Sequence, residues 1–510
     1  MFQIFVAAAV IASVPRAYAA TTEHKAPSSN KKLEARIDQL IVGCPAIERG
    51  HIGFKFIDVT TGSVIAERNA GAFFTPASNT KLYTTATALV RLGPSYQFQT
   101  DLRTSGPWTP GQTSIRDLQI IGGGDPNLSG RVLPYAVDSK PGDALAALHD
   151  LARKIGDDGI TRIDGDVTGV ATRYPGSPYP EGWTINDSTY GYGAPVSALT
   201  FNDNSVTVTV MPEQVGDLAA IETKPPGSPL LILNEVTTEP GKETHVRVSR
   251  DPGSNEVVLS GRIGQMASPY EEDLAVSDPA RWAADELIAA LREQGITVRG
   301  EARSRYDTVS EWEPGASVPP SPPVMGTLLA SHQSGPLFQD IVLTNKISQN
   351  LHAEMLLREV GYVLRGNGSL RAGFEERTRF MQELGVTADS TGVALADGSG
   401  LARQDLTTVD STVTLLRAMW HRPEHDLWLA SLPVGGVDGT LEHRFKGIVG
   451  AERVHAKTGS LGHVAALSGY IETRQHGWLA FSIMVNAAVG HESEVRTFID
   501  RLCALFLDMH

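Results

Sequence analysis

Thr75–Pro94, TPASNTKLYTTATALVRLGP, is the stretch on which the reading of this 510-residue chain turns. Leu82, Ala86, Leu89 and Val90 recur at helical spacing, and Gly93-Pro94 is a stop signal. Ser78 and Lys81 stand three apart at the start of that helix, just after Pro76, and positions i and i+3 share a face. In one reading Ser78 caps the helix and Lys81 is a solvated charge. In the other, Ser78 is a nucleophile beside the orphan N–H groups and positive dipole end of the helix, and a desolvated Lys81 is its base. S-x-x-K alone is a weak signal, and spacing alone favours the cap.

Two distant segments reverse that balance. NKISQNLHAE places Ser348-Gln349-Asn350 immediately before a helix pattern, and VHAKTGSLGHV places Lys457-Thr458-Gly459 on a strand pattern. S-x-x-K, then S-x-N, then K-T-G is the ordered signature of serine penicillin-binding proteins and class A β-lactamases. Each triplet is common by chance; the ordered set, each in a suitable local pattern, is not.

Around the motifs the texture changes twice. A helix pattern (Leu33, Ile37, Leu40, Ile41) and a hairpin turning at Thr60-Thr61-Gly62 precede the opening helix. From about 97 to 320, short β-rich runs alternate with Gly, Pro and Asp turns, with helix patterns at ALAALHDLARKIG and RWAADELIAALREQGI. EWEPGASVPPSPP, 311–323, reads as a linker. Helices then return, followed by strand patterns at VHAKTGS, VAALSGYIET and GWLAFSIMVNA and a closing helix, EVRTFIDRLCALFL. The two ends thus read as one split domain around an inserted middle.

Composition narrows the class. With 44 Lys+Arg against 58 Asp+Glu and a net charge of −14, the chain lacks the basic excess of a general nucleic-acid binder. MFQIFVAAAVIASVPRAYA, 1–19, has an apolar run and an Ala17-Tyr18-Ala19 cleavage pattern, so it reads as a secretory signal peptide, and no later run is long enough to span a membrane. Cys44 and Cys503 are compatible with one disulfide between the chain ends or with two buried thiols. His352, His443, His455 and His463 lie near the motifs but show no metal-ligand spacing. GGGDPN, 122–127, lacks the Lys-Ser/Thr of a phosphate loop, and DGSG, 397–400, reads as a turn with Asp397 bonding backbone.

The three motifs, together with GGGDPNL, LTNKISQNLHAEMLLR, ADGSGLARQDLTT and LPVGGVDGTLEHRF, make the chain similar to the D-alanyl-D-alanine carboxypeptidase/endopeptidase family of class C low-molecular-mass penicillin-binding proteins (penicillin-binding protein 4 type, peptidase family S13). The likeness covers nearly the whole chain after residue 19 and is strongest at 51–95 and 324–490. It implies an α+β penicillin-recognising fold of the serine transpeptidase/β-lactamase kind: an antiparallel sheet flanked by helices, split between 20–98 and 322–510, around one or two inserted β-rich domains at 99–321. It also implies an exported, periplasmic enzyme acting on peptidoglycan stem peptides and cross-links, acylated by β-lactams, and needing neither cofactor nor metal.

The resemblance implies roles as well. Ser78 would be the nucleophile and Lys81 its base. Ser348 would relay a proton, and Asn350 would hold Lys81 and the substrate amide. Lys457 and Thr458 would take the terminal carboxylate, while Gly459 would remove bulk beside the substrate. The N–H groups of Ser78 and Ser460 would form the oxyanion hole. In EGWTINDSTYGYGAPVSAL, Asp187 would meet the diamino-acid ammonium, with Trp183, Tyr190 or Tyr192 against its alkyl chain; the other reading is a buried Trp and a turn Asp. A β-lactamase and a non-catalytic cell-wall binder are the rivals.

Overall fold

The computed structural model describes residues 28–307, 325–386, 392–474 and 477–508. The expected signal peptide and the linker at 311–323 lie outside the described residues.

The organising element is a five-stranded antiparallel sheet drawn from both ends of the chain. The hairpin β1 (His51–Asp58) and β2 (Val64–Arg68) joins β3 (Val454–Leu461), β4 (Val464–Glu472) and β5 (Trp478–Asn486) in the order β2-β1-β5-β4-β3. Pairing of β1 with β5 is continuous from His51↔Asn486 to Asp58↔Leu479. Side chains alternate across a strand, so the two faces serve different cores. Leu479, Phe481, Ile483 and Val485 of β5 point into one core, and Ala480 points into another.

Helices cover both faces. On the first, α1 (Ser28–Val42) and α5 (Glu492–Leu507) pack with Phe54 and Phe56. Val495, Phe498, Ile499, Leu502 and Phe506 give α5 the apolar stripe that a half-buried helix needs, and Phe506 stacks on Phe56 at 3.6 Å between centroids. On the second face lie α2 (Thr80–Leu92), α3 (Asn350–Arg365) and α4 (Val409–Trp420). Leu82, Tyr83, Ala86 and Leu89 of α2 fill this core with Val413 and Leu416 of α4. The α2 helix ends at Gly93, whose φ of 84° suits a residue without Cβ.

The described residues between 99 and 333 build a second body of sheets around a core of their own. Its entry and exit strands, Gln99–Thr104 and Leu328–Gln333, pair antiparallel. They sit at one edge of a five-stranded sheet completed by Leu118–Ile121, Val167–Val170 and Ala302–Arg305. The last three pair in parallel, which is possible because helical segments lie between them in sequence. Two three-stranded sheets from Ser205–Ala275 are nested within this body. Its core takes in Leu351 and Met355 of α3, while Leu356 and Val360 of the same helix enter the core behind α2. Helix α3 is therefore shared, and every residue from Leu351 to Gly361 is buried.

Candidate active site

Ser78 does not sit in regular α-helix. Ala77–Asn79 form a 3₁₀ turn that runs straight into α2. Ala77 adopts φ 48°, a left-handed conformation that costs an alanine energy and is kept only where neighbours impose it. Asn79, fully buried, supplies one constraint by donating to Ser468 Oγ at 2.6 Å. Gly459 supplies another: a Cβ there would lie 2.6 Å from the Pro76 carbonyl oxygen and 3.2 Å from Ser78 N. The glycine of K-T-G thus lets β3 press directly against the Ser78 turn, a reason different from substrate clearance. Ser78 makes no helix cap; its Oγ stands 3.0 Å from Lys81 Nζ.

Lys81 is fully buried, and its three polar neighbours match a neutral amine. Lys81 Nζ donates to Asn350 Oδ1 at 2.6 Å, to the Ser399 carbonyl at 2.7 Å and to Ser78 Oγ at 3.0 Å; in the neutral amine the first two acceptors can keep its N–H bonds while the lone pair turns to the Ser78 hydroxyl. Burial drives the Lys81 pKa down from its ordinary 10.5 to about 7, although Asp397, Glu354 and Asp405 nearby favour the charged form. The DGSG turn holds the Ser399 carbonyl in place. Asp397 accepts from the N–H groups of Gly400 at 2.6 Å and Ala402 at 2.8 Å, while Glu354 accepts from those of Gly398 at 2.9 Å and Ser399 at 2.7 Å.

The second lysine faces the second serine. Lys457, also fully buried, donates to Ser348 Oγ at 2.8 Å and to its neighbour's carbonyl, Thr458 O, at 3.0 Å. Burial, reinforced by the nearby Lys81, holds its pKa well below the ordinary lysine range. Ser348 adopts φ 63° just before α3, so the S-x-N serine, like the residue before Ser78, is held in a left-handed turn. The Thr458 hydroxyl meets that of Thr440 at 2.8 Å.

β3 is an edge strand, and its outer edge is part of the site. Ala456 N–H donates outward to Pro433 O. By the two-residue repeat of a strand, the N–H groups of Thr458 and Ser460 point the same way, beyond the segment that covers Ala456. A substrate backbone laid along this edge would find donors there.

These groups open onto one cleft of about 620 Å³, lined by Ser78, Ser348, Asn350, Thr440, Thr458, Ser460 and Leu461, with Asp187, Tyr192, Arg403, Arg444 and Arg496 around them. Asp187 reaches the cleft on a 3₁₀ turn and receives the Tyr192 hydroxyl at 3.2 Å. Trp183 and Tyr190 are not lining residues. Trp183 donates from its indole to Asp397 Oδ2 at 3.0 Å, and Tyr190 stacks behind Tyr192 at 5.6 Å between centroids; both pack on the core of the inserted body. The sequence reading missed Thr440 and the three arginines. Thr440 and Arg444 lie in GGVDGTLEHRF, where no spacing singles them out.

Among the described residues, no group of three or more His, Cys, Asp or Glu is arranged to hold a metal, and no helix is long and apolar enough to cross a membrane. Cys44 and Cys503 are both free thiols buried in the core beneath α1 and α5.

Comparisons with known proteins show the family and the fold. Residues 33–505 match the model of the D-Ala-D-Ala carboxypeptidase 3 (S13) family. The chain is 32% identical over 472 residues to a D-alanyl-D-alanine carboxypeptidase of Actinomadura sp. (strain R39), covering 90% of this chain and 82% of that one. It is 25% identical to the D-alanyl-D-alanine carboxypeptidase DacB of Haemophilus influenzae, covering 88% of each. The crystal structure of penicillin binding protein 4 (dacB) from Haemophilus influenzae superposes with a TM-score of 0.75 at 23% identity, over 93% of this chain and 99% of that one. That likeness places the penicillin-recognising α+β fold.

Proposed function

The chain belongs to the D-Ala-D-Ala carboxypeptidase 3 (S13) family and is a serine-type DD-peptidase; from that premise we propose that Ser78 is its nucleophile and Lys81 the base that activates it. The observation that carries this reading is the buried Lys81 amine, with two acceptors on its N–H bonds and the Ser78 hydroxyl at 3.0 Å.

Ser78 Oγ attacks the carbonyl carbon of the D-Ala-D-Ala peptide bond as Lys81 takes its proton. The N–H groups of Ser78 and Ser460 receive the oxyanion that forms. As the tetrahedral centre collapses, the leaving amine takes the Ser348 hydroxyl proton, Lys457 at 2.8 Å replaces it, and the proton that Lys81 took from Ser78 passes on through this relay to Lys457, so that both lysines return to their starting states. D-Alanine departs with its carboxylate against Thr458 and Thr440. Water then enters, Lys81 removes its proton, and the ester to Ser78 is hydrolysed. The second N–H of the Asn350 amide holds the substrate's amide carbonyl.

The same site would cut the D-Ala to diamino-acid bond of a cross-link, with Asp187 and Tyr192 taking the free ammonium of the stem peptide. β-Lactams, as mimics of the D-Ala-D-Ala bond, would acylate Ser78. We take residues 1–19 to be a signal peptide and the enzyme to work in the periplasm on peptidoglycan.

Purified cross-linked and uncross-linked muropeptides, incubated with the protein and weighed by mass spectrometry, test the activity. Loss of one alanine marks carboxypeptidase action, and splitting of dimers marks endopeptidase action; products unchanged in both pools would overturn the reading. Ser78→Ala is expected to abolish covalent labelling by fluorescent penicillin with the fold intact, and retained labelling would mean a different nucleophile. A long-lived penicilloyl adduct in the intact mass separates this enzyme from a β-lactamase, which would release it quickly.

A further inference from the structure

Behind the S-x-N turn, on the side away from the cleft, lies a buried ionic group that the catalytic steps do not use. His352, one residue beyond Leu351 on the first turn of α3, is fully buried. Its Nε2 lies 3.1 Å from Asp203 Oδ1 and its Nδ1 lies 3.1 Å from Asp340 Oδ1. A neutral imidazole always presents one nitrogen as an acceptor. Here either nitrogen would turn its lone pair on a carboxylate, so both must carry protons and His352 is an imidazolium.

Asp203 belongs to the inserted body, in a run of three left-handed residues: Asn202, Asp203 and Asn204 have φ of 47°, 54° and 55°. Such a run is held only against strong contacts. The Asp203 carboxylate provides them. Besides His352, its Oδ2 accepts from Arg131 Nε at 2.8 Å and from Gln349 Nε2 at 3.1 Å. Gln349 is the middle residue of the S-x-N motif and caps α3 by accepting from Leu351 N at 3.0 Å. One carboxylate thus holds Gln349, immediately before Asn350, and His352, two residues after it. Asp340 is tied back to the inserted body by Asn127 Nδ2 at 2.8 Å.

We propose that Asp203 and His352 are positioning residues, a clamp by which the inserted body holds Ser348 on Lys457 and Asn350 on Lys81. The inference rests on the peptidase reading above. The groups facing His352 are Asp203 and Asp340 directly, with Arg131 against Asp203 and buried Asp125 beyond Asp340. Burial opposes the imidazolium, but hydrogen bonds to Asp203 and Asp340 outweigh it and hold the pKa up to about 8, above the ordinary 6.5. A raised histidine pKa means the clamp is intact at lower pH and is lost as pH rises through about 8.

The test is the rate of acylation by fluorescent penicillin, followed from neutral to alkaline pH. Asp203→Asn keeps an oxygen for Arg131 and Gln349 but removes the charge that keeps His352 protonated. Its alkaline limb is expected to move to lower pH by about one unit or more, the usual effect of one neighbouring charge. A profile that superimposes on wild type overturns the proposal. If Asp203→Asn fails to fold, Gln349→Met decides, because it leaves every ion pair in place. It is expected to slow acylation about tenfold, the worth of one charge-assisted hydrogen bond, while the melting temperature falls only as far as loss of the Leu351 cap requires; an unchanged rate overturns the clamp. Wild-type protein that takes no label would instead overturn the peptidase reading.

Discussion

Asn350 donates from Nδ2 to the main-chain carbonyl of Tyr192 at 2.9 Å. That single bond orients the amide, because with Nδ2 committed to Tyr192 the Oδ1 must face Lys81, where it lies at 2.6 Å. An inverted amide would set two donors against the lysine and leave a carbonyl facing a carbonyl. The loop that carries Asp187 and Tyr192 into the cleft therefore also fixes the group that accepts from the candidate base. One N–H of Asn350 remains for substrate.

Acylation should rise with pH through about 7, where Lys81 loses its proton. The lysine pKa is depressed, so the neutral amine is present above that pH and is converted to ammonium below it. Lys81→Arg, which stays charged, should cut the acylation rate by about 10² to 10⁴, the range of one general base. Stopped-flow labelling by fluorescent penicillin across pH reads both effects. A flat acid limb in wild type would remove Lys81 from the role of base.

Gly459→Ala should damage both stability and acylation. The added methyl meets the Pro76 carbonyl at 2.6 Å, backbone against backbone, and overpacking of this kind costs about 1–3 kcal/mol. Thermal unfolding and penicillin labelling on the same sample check it. If both are unchanged, β3 can back away from the nucleophile turn without cost.

Asp187→Ala should selectively slow cleavage of peptides that carry a free diamino-acid ammonium. Simple acyl-D-Ala-D-Ala peptides, which lack that charge, should be cleaved nearly as before. Equal loss on both substrates would mean that Asp187 serves the loop through its bonds to Thr184 N at 2.7 Å and Tyr192 Oη at 3.2 Å, rather than the substrate.

Two thiols should titrate per chain under denaturing, non-reducing conditions, and almost none in the native protein. Cys44 and Cys503 are 7% and 0% exposed, and burial pushes the Cys503 thiol well above its usual range, so little reactive thiolate is available. An absence of titratable thiols after denaturation would mean that a bridge forms.

What was legible in the chain follows from where chemistry lives. Ser78, Lys81, Ser348, Asn350 and Lys457 would act through side chains, so residue type and order can point to them, and the structure gathers all five around one cleft. Ser399 and Tyr192 contribute carbonyls. Every residue type has one, so no letter in the sequence marks them. In the 183–192 segment, Trp183, Asp187 and the two tyrosines were plausible neighbours of substrate together. Asp187 and Tyr192, each within a short 3₁₀ turn, line the cleft, while Trp183 and Tyr190 outside those turns pack on the inserted core, and such short turns leave no periodicity to read. The strands of the inserted body read as short β-rich runs between turns, but such runs name no partner, and nothing in them marks the parallel pairing of 118–121, 167–170 and 302–305.

The continuous ladder from His51↔Asn486 to Asp58↔Leu479 has a kinetic meaning. One of the first strands made by the ribosome has no neighbour on that side until the last strand arrives. Lys457 and its strand come just as late. Nothing resembling the cleft can exist on a nascent or truncated chain, and the loop that must be closed to build it is nearly the whole protein, the kind of contact that forms slowly. The site is thereby late to form: its central sheet stays open until residues 454–486 have been made, and acyl transfer becomes possible only once they have joined β1.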